Sequence, residues 1–211
     1  MRTPPRSAWL VLAAAAAVLV LALALVLGSS GHGASSTSAS AGPAPGFEGA
    51  PLPGSTLAPN FTLTDQHGHA VSPSDYRGQV VVIAFLYTTC GAPCTVIAQQ
   101  IRGALDELAH SPAVLIVSAD PRADTRARIA RFLAEASLTG RVEYLTGPLS
   151  SLLRIWRAYQ VRPASAGRTA FDEYASVLLV DGRGRERVLF ESEQLTPEAL
   201  SHDIERLRHS G

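Results

Sequence analysis

The sequence predicts an α/β fold in which a central mixed sheet is flanked by helices. Between residues 79 and 159, apolar runs too rich in Val and Ile for helices alternate with segments whose apolar residues recur at helical spacing. Two further apolar runs flank the turn Asp181–Gly184 and predict a hairpin, and Thr196-Pro197 predicts the start of a closing helix. Strands that alternate with helices in this way form a layered α/β domain.

Local patterns predict the individual elements. Alternation around the turn at residues 65–68 predicts an opening hairpin, and the β-branched runs predict buried strands. The predicted strands cover residues 61–64, 70–71, 79–86, 114–117, 142–145, 177–180 and 187–190. The predicted helices include residues 96–108, 129–136, 149–159 and 196–207.

The N-terminal part of the sequence predicts a membrane anchor. Residues 1–7 contain Arg2 and Arg6 but no acid, and residues 8–28 begin with 20 uninterrupted apolar residues, enough to cross a bilayer as a helix. The positive-inside rule then places residues 1–7 in the cytoplasm and the rest of the chain outside it. Cleavage of this segment as a signal peptide, which would release a secreted protein, is the alternative, because small residues follow it.

Composition divides the remaining chain into two parts. Residues 29–56 are rich in Gly, Ser, Ala and Pro and predict a flexible linker, because they offer little apolar surface to bury. Residues 57–211 are predicted to form the folded domain. The formal net charge of zero gives no indication of a nucleic-acid partner.

The two cysteines of the chain, Cys90 and Cys94, are the predicted chemical centre. They lie where a predicted buried strand ends and a helix begins, and open α/β sheets place their sites at this edge. The helix dipole lowers a thiol pKa there, and two thiolates one turn apart can close a disulfide or bind a soft metal such as Cu(I). Pro93 is expected to hold both sulfurs near the surface. An inert structural disulfide is the alternative.

Several segments together resemble the Sco/SenC family of thioredoxin-like proteins over about residues 59–207. The resemblance implies a thioredoxin-like fold, a membrane anchor, and a role in copper delivery to cytochrome oxidase or in related thiol redox chemistry. The segments that carry it are Ala58-Pro-Asn-Phe61, Tyr76-Arg-Gly78, Tyr87-Thr-Thr-Cys90 with Cys94, Asp120-Pro-Arg-Ala-Asp124-Thr125, Trp156-Arg-Ala-Tyr159 and Leu179-Val-Asp181-Gly-Arg-Gly184.

The chain departs from the family pattern at two places. The family usually has Pro after each Cys, whereas this chain has Gly91 and Thr95. The third copper ligand of the family is a His eight residues before the hairpin Asp, and Glu173 stands at that position here. A carboxylate is a hard ligand and a poor substitute on Cu(I). Glu173 is therefore a candidate substitute ligand, beside Cys90 and Cys94, in a weakened copper site.

Other titratable residues of the domain are expected to be structural. His67 and His69 are predicted to be solvated turn residues, and Asp124 is predicted to cap the following helix rather than tune the thiols. Arg162 and Arg168 are predicted to be solvated loop charges. The remaining histidines of the domain, predicted to lie exposed at helix ends, are His110, His202 and His209.

The leading hypothesis is a membrane-anchored, extracytoplasmic thiol–disulfide oxidoreductase that requires no cofactor. Cys90 would attack a target disulfide and Cys94 would resolve the mixed disulfide. The expected partners are exported thiol or disulfide proteins, among them the copper-site subunit of cytochrome oxidase. A copper chaperone is the second hypothesis. A thiol peroxidase is disfavoured because Ile83 and Tyr87 replace the Pro and Thr of the peroxiredoxin pattern, and a catalytically idle interaction domain is the last alternative.

Overall fold

A computed structural model describes residues 46–162 and 176–210 of the chain. The predicted anchor at residues 8–28, most of the predicted linker and the candidate ligand Glu173 lie outside the described residues. Within the described ranges, no helix combines the length and the apolar character that a membrane crossing needs.

Strands and helices alternate as the sequence predicts, and the hairpin and helix close the chain. The strands are β1 (Ala50–Pro51), β2 (Leu63–Thr64), β3 (Ala70–Val71), β4 (Val81–Leu86), β5 (Ala113–Ser118), β6 (Glu143–Leu145), β7 (Ser176–Val180) and β8 (Glu186–Glu191). The helices are α1 (Ala92–Glu107), α2 (Arg126–Glu135), α3 (Leu149–Ala158) and α4 (Pro197–His209), and a 3₁₀ turn covers Pro73–Tyr76.

Six strands form one mixed sheet in the order β1-β8-β7-β4-β5-β6. Strands β4, β5 and β6 are parallel, whereas β7 is antiparallel to β4 and β8 is antiparallel to β7. Strands β2 and β3 pair separately as the opening hairpin. The parallel strands bring the C-terminal ends of β4, β5 and β6 to one edge of the sheet.

The fully buried strand β4 divides the core into two layers because its side chains alternate between the faces of the sheet. Val82, Ala84 and Leu86 face the cluster that contains both cysteines and the buried residues of α1, α2 and α4. Ile83 and Phe85 face a second cluster, which contains the buried residues of α3 and of the opening hairpin. This arrangement confirms the predicted mixed sheet with helices on both faces.

Two helices begin at threonine caps. Thr196 Oγ1 accepts a 3.2 Å hydrogen bond from the backbone N–H of Ala199, and Pro197 takes the first helical position, as the sequence predicts. At the start of α2, Thr125 Oγ1 accepts a 3.3 Å hydrogen bond from the backbone N–H of Arg128. The predicted capping role of Asp124 is therefore wrong, because its neighbour Thr125 caps this helix.

Residues before Leu57, the predicted start of the domain, already pair with the folded domain. Ala50 and Pro51 pair with β8, and Gly49 is buried against it. The prediction of a flexible linker up to residue 56 is wrong for residues 48–51. The physical reason is tertiary, since the backbone of a Gly- and Pro-rich segment is satisfied here by an edge strand and by a distant helix.

Candidate redox site

Cys90 and Cys94 are joined by a disulfide with their Cα atoms 5.7 Å apart. Cys90 lies in the loop after β4, where its backbone N–H donates a 3.2 Å hydrogen bond to the carbonyl of Tyr87. Cys94 is the third residue of α1. The structure thus confirms the predicted position of the pair at a strand-to-helix junction.

Gly91, the last residue of the loop between β4 and α1, is the N-cap of α1. Its φ of 85° and ψ of −143° lie in a region that only glycine enters without strain. The Gly91 carbonyl accepts a 3.1 Å hydrogen bond from the Thr95 N–H, which starts the helix. Proline fixes φ near −65°, so this backbone conformation excludes the Pro that the family usually places after the first Cys.

Both cysteines are buried, with 2% of Cys90 and none of Cys94 exposed. The expectation that Pro93 holds both sulfurs near the surface is therefore wrong. Cys94 occupies the inward face of α1, one turn before Ile97 and Ala98, and packs into the core with them. The disulfide then draws Cys90 toward the same core.

A buried hydrogen-bond network supports the loop that carries Cys90. Asp124 Oδ1 accepts a 2.7 Å hydrogen bond from the backbone N–H of Thr88. Its other oxygen, Oδ2, accepts hydrogen bonds from the hydroxyls of Tyr144 at 2.8 Å and Ser118 at 2.5 Å. The Tyr144 hydroxyl also lies 3.3 Å from the carbonyl oxygen of Leu86. Side chains from β5 and β6 thus meet at the end of β4.

Burial dominates the electrostatics of this network. Desolvation raises the pKa of the Asp124 carboxyl above its ordinary value, although hydrogen bonds from Ser118, Thr88 and Tyr144 act in the opposite direction. The pKa of the Tyr144 phenol is raised well above its ordinary value by burial and by the neighbouring Asp124 charge. Tyr144 therefore stays protonated and acts as a donor at neutral pH.

The described histidines are all exposed, as predicted for the five within the domain. His67 and His69 lie in the hairpin turn, which Gln66 ties to Val142 and Tyr144 at the start of β6. Because β6 runs parallel to β4, this turn is at the opposite end of the strands from Cys90. His67 and His69 therefore do not supply the missing ligand beside the cysteines.

The described residues show no third metal ligand beside Cys90 and Cys94. Across residues 46–162 and 176–210, no group of three or more His, Cys, Asp or Glu side chains is arranged to hold a metal ion. Glu173 and Arg168 lie outside these ranges. The described part of the site thus offers two sulfur atoms as soft donors, and the candidate third ligand stays a prediction.

Arg162 is exposed, as predicted for a solvated loop charge. It lines a cavity of about 640 Å³ together with Ile83, Phe85, Tyr159 and Leu178. Those apolar residues belong to, or pack against, the core cluster on the sheet face opposite the cysteines. This cavity is consequently separate from the candidate redox site.

Sequence reasoning missed Thr88, Ser118 and Tyr144 as parts of the site. Ser118 is the last residue of a strand that is otherwise apolar, and Tyr144 is the middle residue of a three-residue strand. A hydroxyl at the C-terminal end of a buried strand is a recognisable signal, because a buried polar group needs a partner. The partner itself, Asp124, is fixed only by the three-dimensional fold.

The solved structures that share this architecture include the following two. The structure of Bradyrhizobium japonicum ScoI with copper bound superposes with a TM-score of 0.54 at 27% identity, covering 72% of this chain and 99% of that one. The thioredoxin domain of a thiol-disulfide oxidoreductase from Bacteroides vulgatus gives a TM-score of 0.57 at 17% identity, covering 74% and 97%. The fold is thus a thioredoxin-like α/β fold.

Two of the curated relatives belong to different classes of protein. The mitochondrial SCO2 homolog of Bos taurus is 26% identical over 120 residues, which are 54% of this chain and 44% of the relative. The chain therefore spans less than half the length of this relative. A putative peroxiredoxin of Mycobacterium tuberculosis is 30% identical over 128 residues, which are 61% of this chain and 78% of the relative.

The family comparison covers more of the chain than either relative. The SCO1/SenC family model matches residues 50–209, which include β1, the cysteine pair, the Asp124 network and α4. The start of the match at residue 50 coincides with β1, the first strand that the structure describes, rather than with the predicted boundary at residue 57. The chain belongs to the SCO1/SenC family.

Proposed function

We propose that this protein is a membrane-anchored, extracytoplasmic thiol–disulfide oxidoreductase that acts on exported cysteine pairs. The observation that carries the proposal is the Cys90–Cys94 disulfide at the junction of β4 and α1. This pair lies at the edge of the sheet where α/β folds place their chemistry. The N-terminal apolar run of the sequence supports the anchor, and the positive-inside rule supports the orientation.

The exchange would proceed in two steps. The Cys90 thiolate attacks one sulfur of a target disulfide, the Cys90–target bond forms, and the other target sulfur leaves as a thiolate that takes up a proton. Cys94 then loses its proton and attacks Cys90 Sγ, which closes the internal disulfide and releases the second target thiol. The pair gives up two electrons and the target gains two. The reverse sequence starts from the disulfide seen here and oxidises a target dithiol.

Burial of the pair sets a condition for this exchange. A target sulfur reaches Cys90 only when the structure around it opens locally, because Cys90 is almost fully covered. Gly91 and Ala92, the residues that follow Cys90 in sequence, are themselves exposed. Cys94 is held within α1 and is the less accessible of the two. The geometry therefore favours Cys90 as the attacking sulfur and Cys94 as the resolving one.

A copper chaperone is the second candidate function, and family membership favours it. Copper would then be the cargo, with the thiolates of the reduced pair as soft ligands suited to Cu(I). Glu173 would be the substitute third ligand. The family resemblance suggests the copper-site subunit of cytochrome oxidase as the partner that receives the metal or the electrons.

One set of measurements separates these functions. The full chain, purified in mild detergent and reduced, is equilibrated with glutathione redox buffers, and the fraction of disulfide is read by mass after alkylation. A reduction potential above about −300 mV, with rapid exchange into a disulfide peptide, supports the oxidoreductase. A lower potential, or thiols that do not exchange in the folded protein, would identify a structural disulfide and overturn the proposal.

The same preparation tests the alternatives. Cu(I) retained against a competing chelator, lost in Cys90→Ser and weakened in Glu173→Ala, would establish the chaperone function instead. Rapid consumption of hydrogen peroxide, lost in Cys90→Ser, would establish a peroxidase. We expect slow peroxide turnover because Ile83 and Tyr87 occupy the places of the Pro and Thr in the peroxiredoxin pattern.

A further inference from the structure

We propose that Asp124 is a positioning residue of the cysteine pair, because its carboxylate fastens Thr88 and thereby holds Cys90 within bonding distance of Cys94. The inference rests on the proposed thiol–disulfide function and names a residue that this function depends on without touching the substrate. The evidence is the geometry of the hydrogen bonds between three strand ends.

The hydrogen bond between Asp124 and Thr88 lies close in sequence to Cys90. Thr88 precedes Cys90 by two residues, and its N–H donates to Asp124 Oδ1 at 2.7 Å. The carbonyl of Tyr87, on the other side of the same peptide bond, accepts from the N–H of Cys90 at 3.2 Å. The hydrogen bond to Asp124 therefore fixes the peptide unit between Tyr87 and Thr88, to which the Cys90 N–H is hydrogen-bonded.

The carboxylate is itself rigidly held. Oδ2 of Asp124 accepts from the hydroxyls of Ser118 and Tyr144, which belong to β5 and β6, and the side chain is buried. A buried carboxylate that accepts several hydrogen bonds has little freedom to reorient. The loop is thus tied to two strands of the sheet rather than to its own neighbours in sequence.

The expected effect on the redox equilibrium follows from this constraint. We call the hydrogen bond from the Thr88 N–H to Asp124 the clamp. By holding Cys90 beside Cys94, the clamp raises the effective concentration of one thiol at the other, which favours the internal disulfide. Loss of the clamp lowers the equilibrium constant for disulfide closure. Loss of the Asp124 charge acts in the same direction, since a nearby negative charge disfavours the thiolate of the reduced pair.

Three kinds of variant separate the clamp from the charge and from general destabilisation. Asp124→Asn removes the charge but retains an oxygen that accepts from Thr88. Asp124→Ala removes both the charge and the clamp. Ser118→Ala and Tyr144→Phe each remove a donor to Oδ2 and leave the Oδ1 hydrogen bond in place, so they are the matched controls.

The test is the disulfide equilibrium of the folded full chain against glutathione. For Asp124→Ala we expect about a tenfold smaller closure constant, equivalent to about 30 mV for a two-electron couple. Asp124→Asn should give a smaller change, and each control variant a smaller change again. Equal shifts in the Asn and Ala variants would assign the effect to charge, and an unchanged constant in the Ala variant would show that no positioning occurs. Either result overturns the proposal.

A second measurement needs no variant and covers the case in which Asp124→Ala does not fold. Amide hydrogen exchange on the wild-type chain should show the Thr88 N–H protected in both the oxidised and the reduced protein. Fast exchange of this amide in the reduced protein would overturn the clamp. Failure of the wild-type disulfide to exchange with glutathione would instead overturn the proposed function, while the amide measurement would still report on Asp124.

Discussion

The backbone N–H of Gly49 donates a 3.0 Å hydrogen bond to Oδ2 of Asp203, a fully buried carboxylate on α4. The N–H of Glu48 donates to the same carboxylate at 2.9 Å, and the Nδ1 of His202 lies 2.9 Å from its Oδ1. Phe47 packs nearby under the guanidinium of Arg206, 5.3 Å from the ring centre. The C-terminal helix thus orders the segment that enters the domain and places β1 at the edge of the sheet.

Replacement of Asp203 by Ala should destabilise the fold through this segment. The variant leaves two backbone donors without their charged acceptor, and hydrogen bonds to charged groups contribute about 1.5–3 kcal/mol. We expect a loss of that size in the free energy of urea unfolding, with early proteolytic cleavage near residues 46–51. Asp106→Ala is the control, because that carboxylate forms exposed ion pairs, which contribute little to stability. Equal losses in the two variants would contradict the argument.

Replacement of Gly91 by Ala should affect both stability and the cysteine pair. A non-glycine residue at φ 85° is strained by about 1–3 kcal/mol, although no atom within 4 Å would meet the added Cβ. The strain acts through the backbone between Cys90 and Cys94, so we expect lower thermal stability and a changed glutathione equilibrium. Gly91→Pro, which restores the family residue, should be the more disruptive because its ring cannot adopt this φ.

Gly140 provides a matched control for that prediction. It has a positive φ of 73° and open space around its missing Cβ, but it lies in the turn before β6. Gly140→Ala should therefore lower stability without changing the disulfide equilibrium. If both alanine variants change the equilibrium equally, the conformation of Gly91 has no special link to the pair.

Much of the fold was predictable because local sequence and tertiary packing agree. The β-branched run at residues 79–86 became the central strand β4, and the cap at Thr196-Pro197 began α4 as expected. The folded state of residues 48–51 was not predictable from the sequence. No local pattern in this Gly- and Pro-rich stretch indicates that Asp203, 154 residues after Gly49, accepts hydrogen bonds from its N–H groups.

In the candidate redox site, too, local sequence predicts some features, whereas others depend on the tertiary fold. Strand-to-helix placement of Cys90 and Cys94 follows from hydrophobic patterns on either side of them. The depth of the sulfurs does not, because it depends on which face of α1 the core covers. Asp124 was predicted as a cap on the local rule that acidic residues favour helix starts. Its actual partner, the N–H of Thr88, lies 36 residues earlier and is brought close by the pairing of β4 with β5.

The burial of the cysteines predicts slow and unequal labelling of the reduced protein. In Cys94→Ser the remaining Cys90 should react with a thiol reagent faster than the remaining Cys94 does in Cys90→Ser, because Cys94 is fully buried within α1. Both should react about tenfold or more faster in denaturant, since access depends on local opening. Stopped-flow labelling checks both rates. A Cys94 that reacts as fast as Cys90 would contradict the assignment of attacking and resolving sulfurs.

The raised pKa of Asp124 predicts a pH dependence of stability that Asp124→Asn should lack. Between the ordinary Asp pKa of 3.8 and the higher folded value, the folded protein binds more protons than the unfolded chain. Stability contributed by this group therefore falls as pH rises through that window and is constant above it. The difference in unfolding free energy, wild type minus Asp124→Asn, should decrease with rising pH in urea titrations between about pH 3 and pH 8.

The sign of this dependence reports which force controls the carboxyl. Carboxylates other than Asp124 titrate in both proteins and cancel in the difference. Tyr144→Phe removes a donor that stabilises the ionised form of Asp124. The pKa of the Asp124 carboxyl in the folded protein should therefore rise further, and the pH window over which stability falls should extend to higher pH. A difference that instead grows with rising pH would mean that the hydrogen bonds from Thr88, Ser118 and Tyr144 outweigh burial. The Asp124 clamp would then be strongest in the ionised state and would weaken in acid.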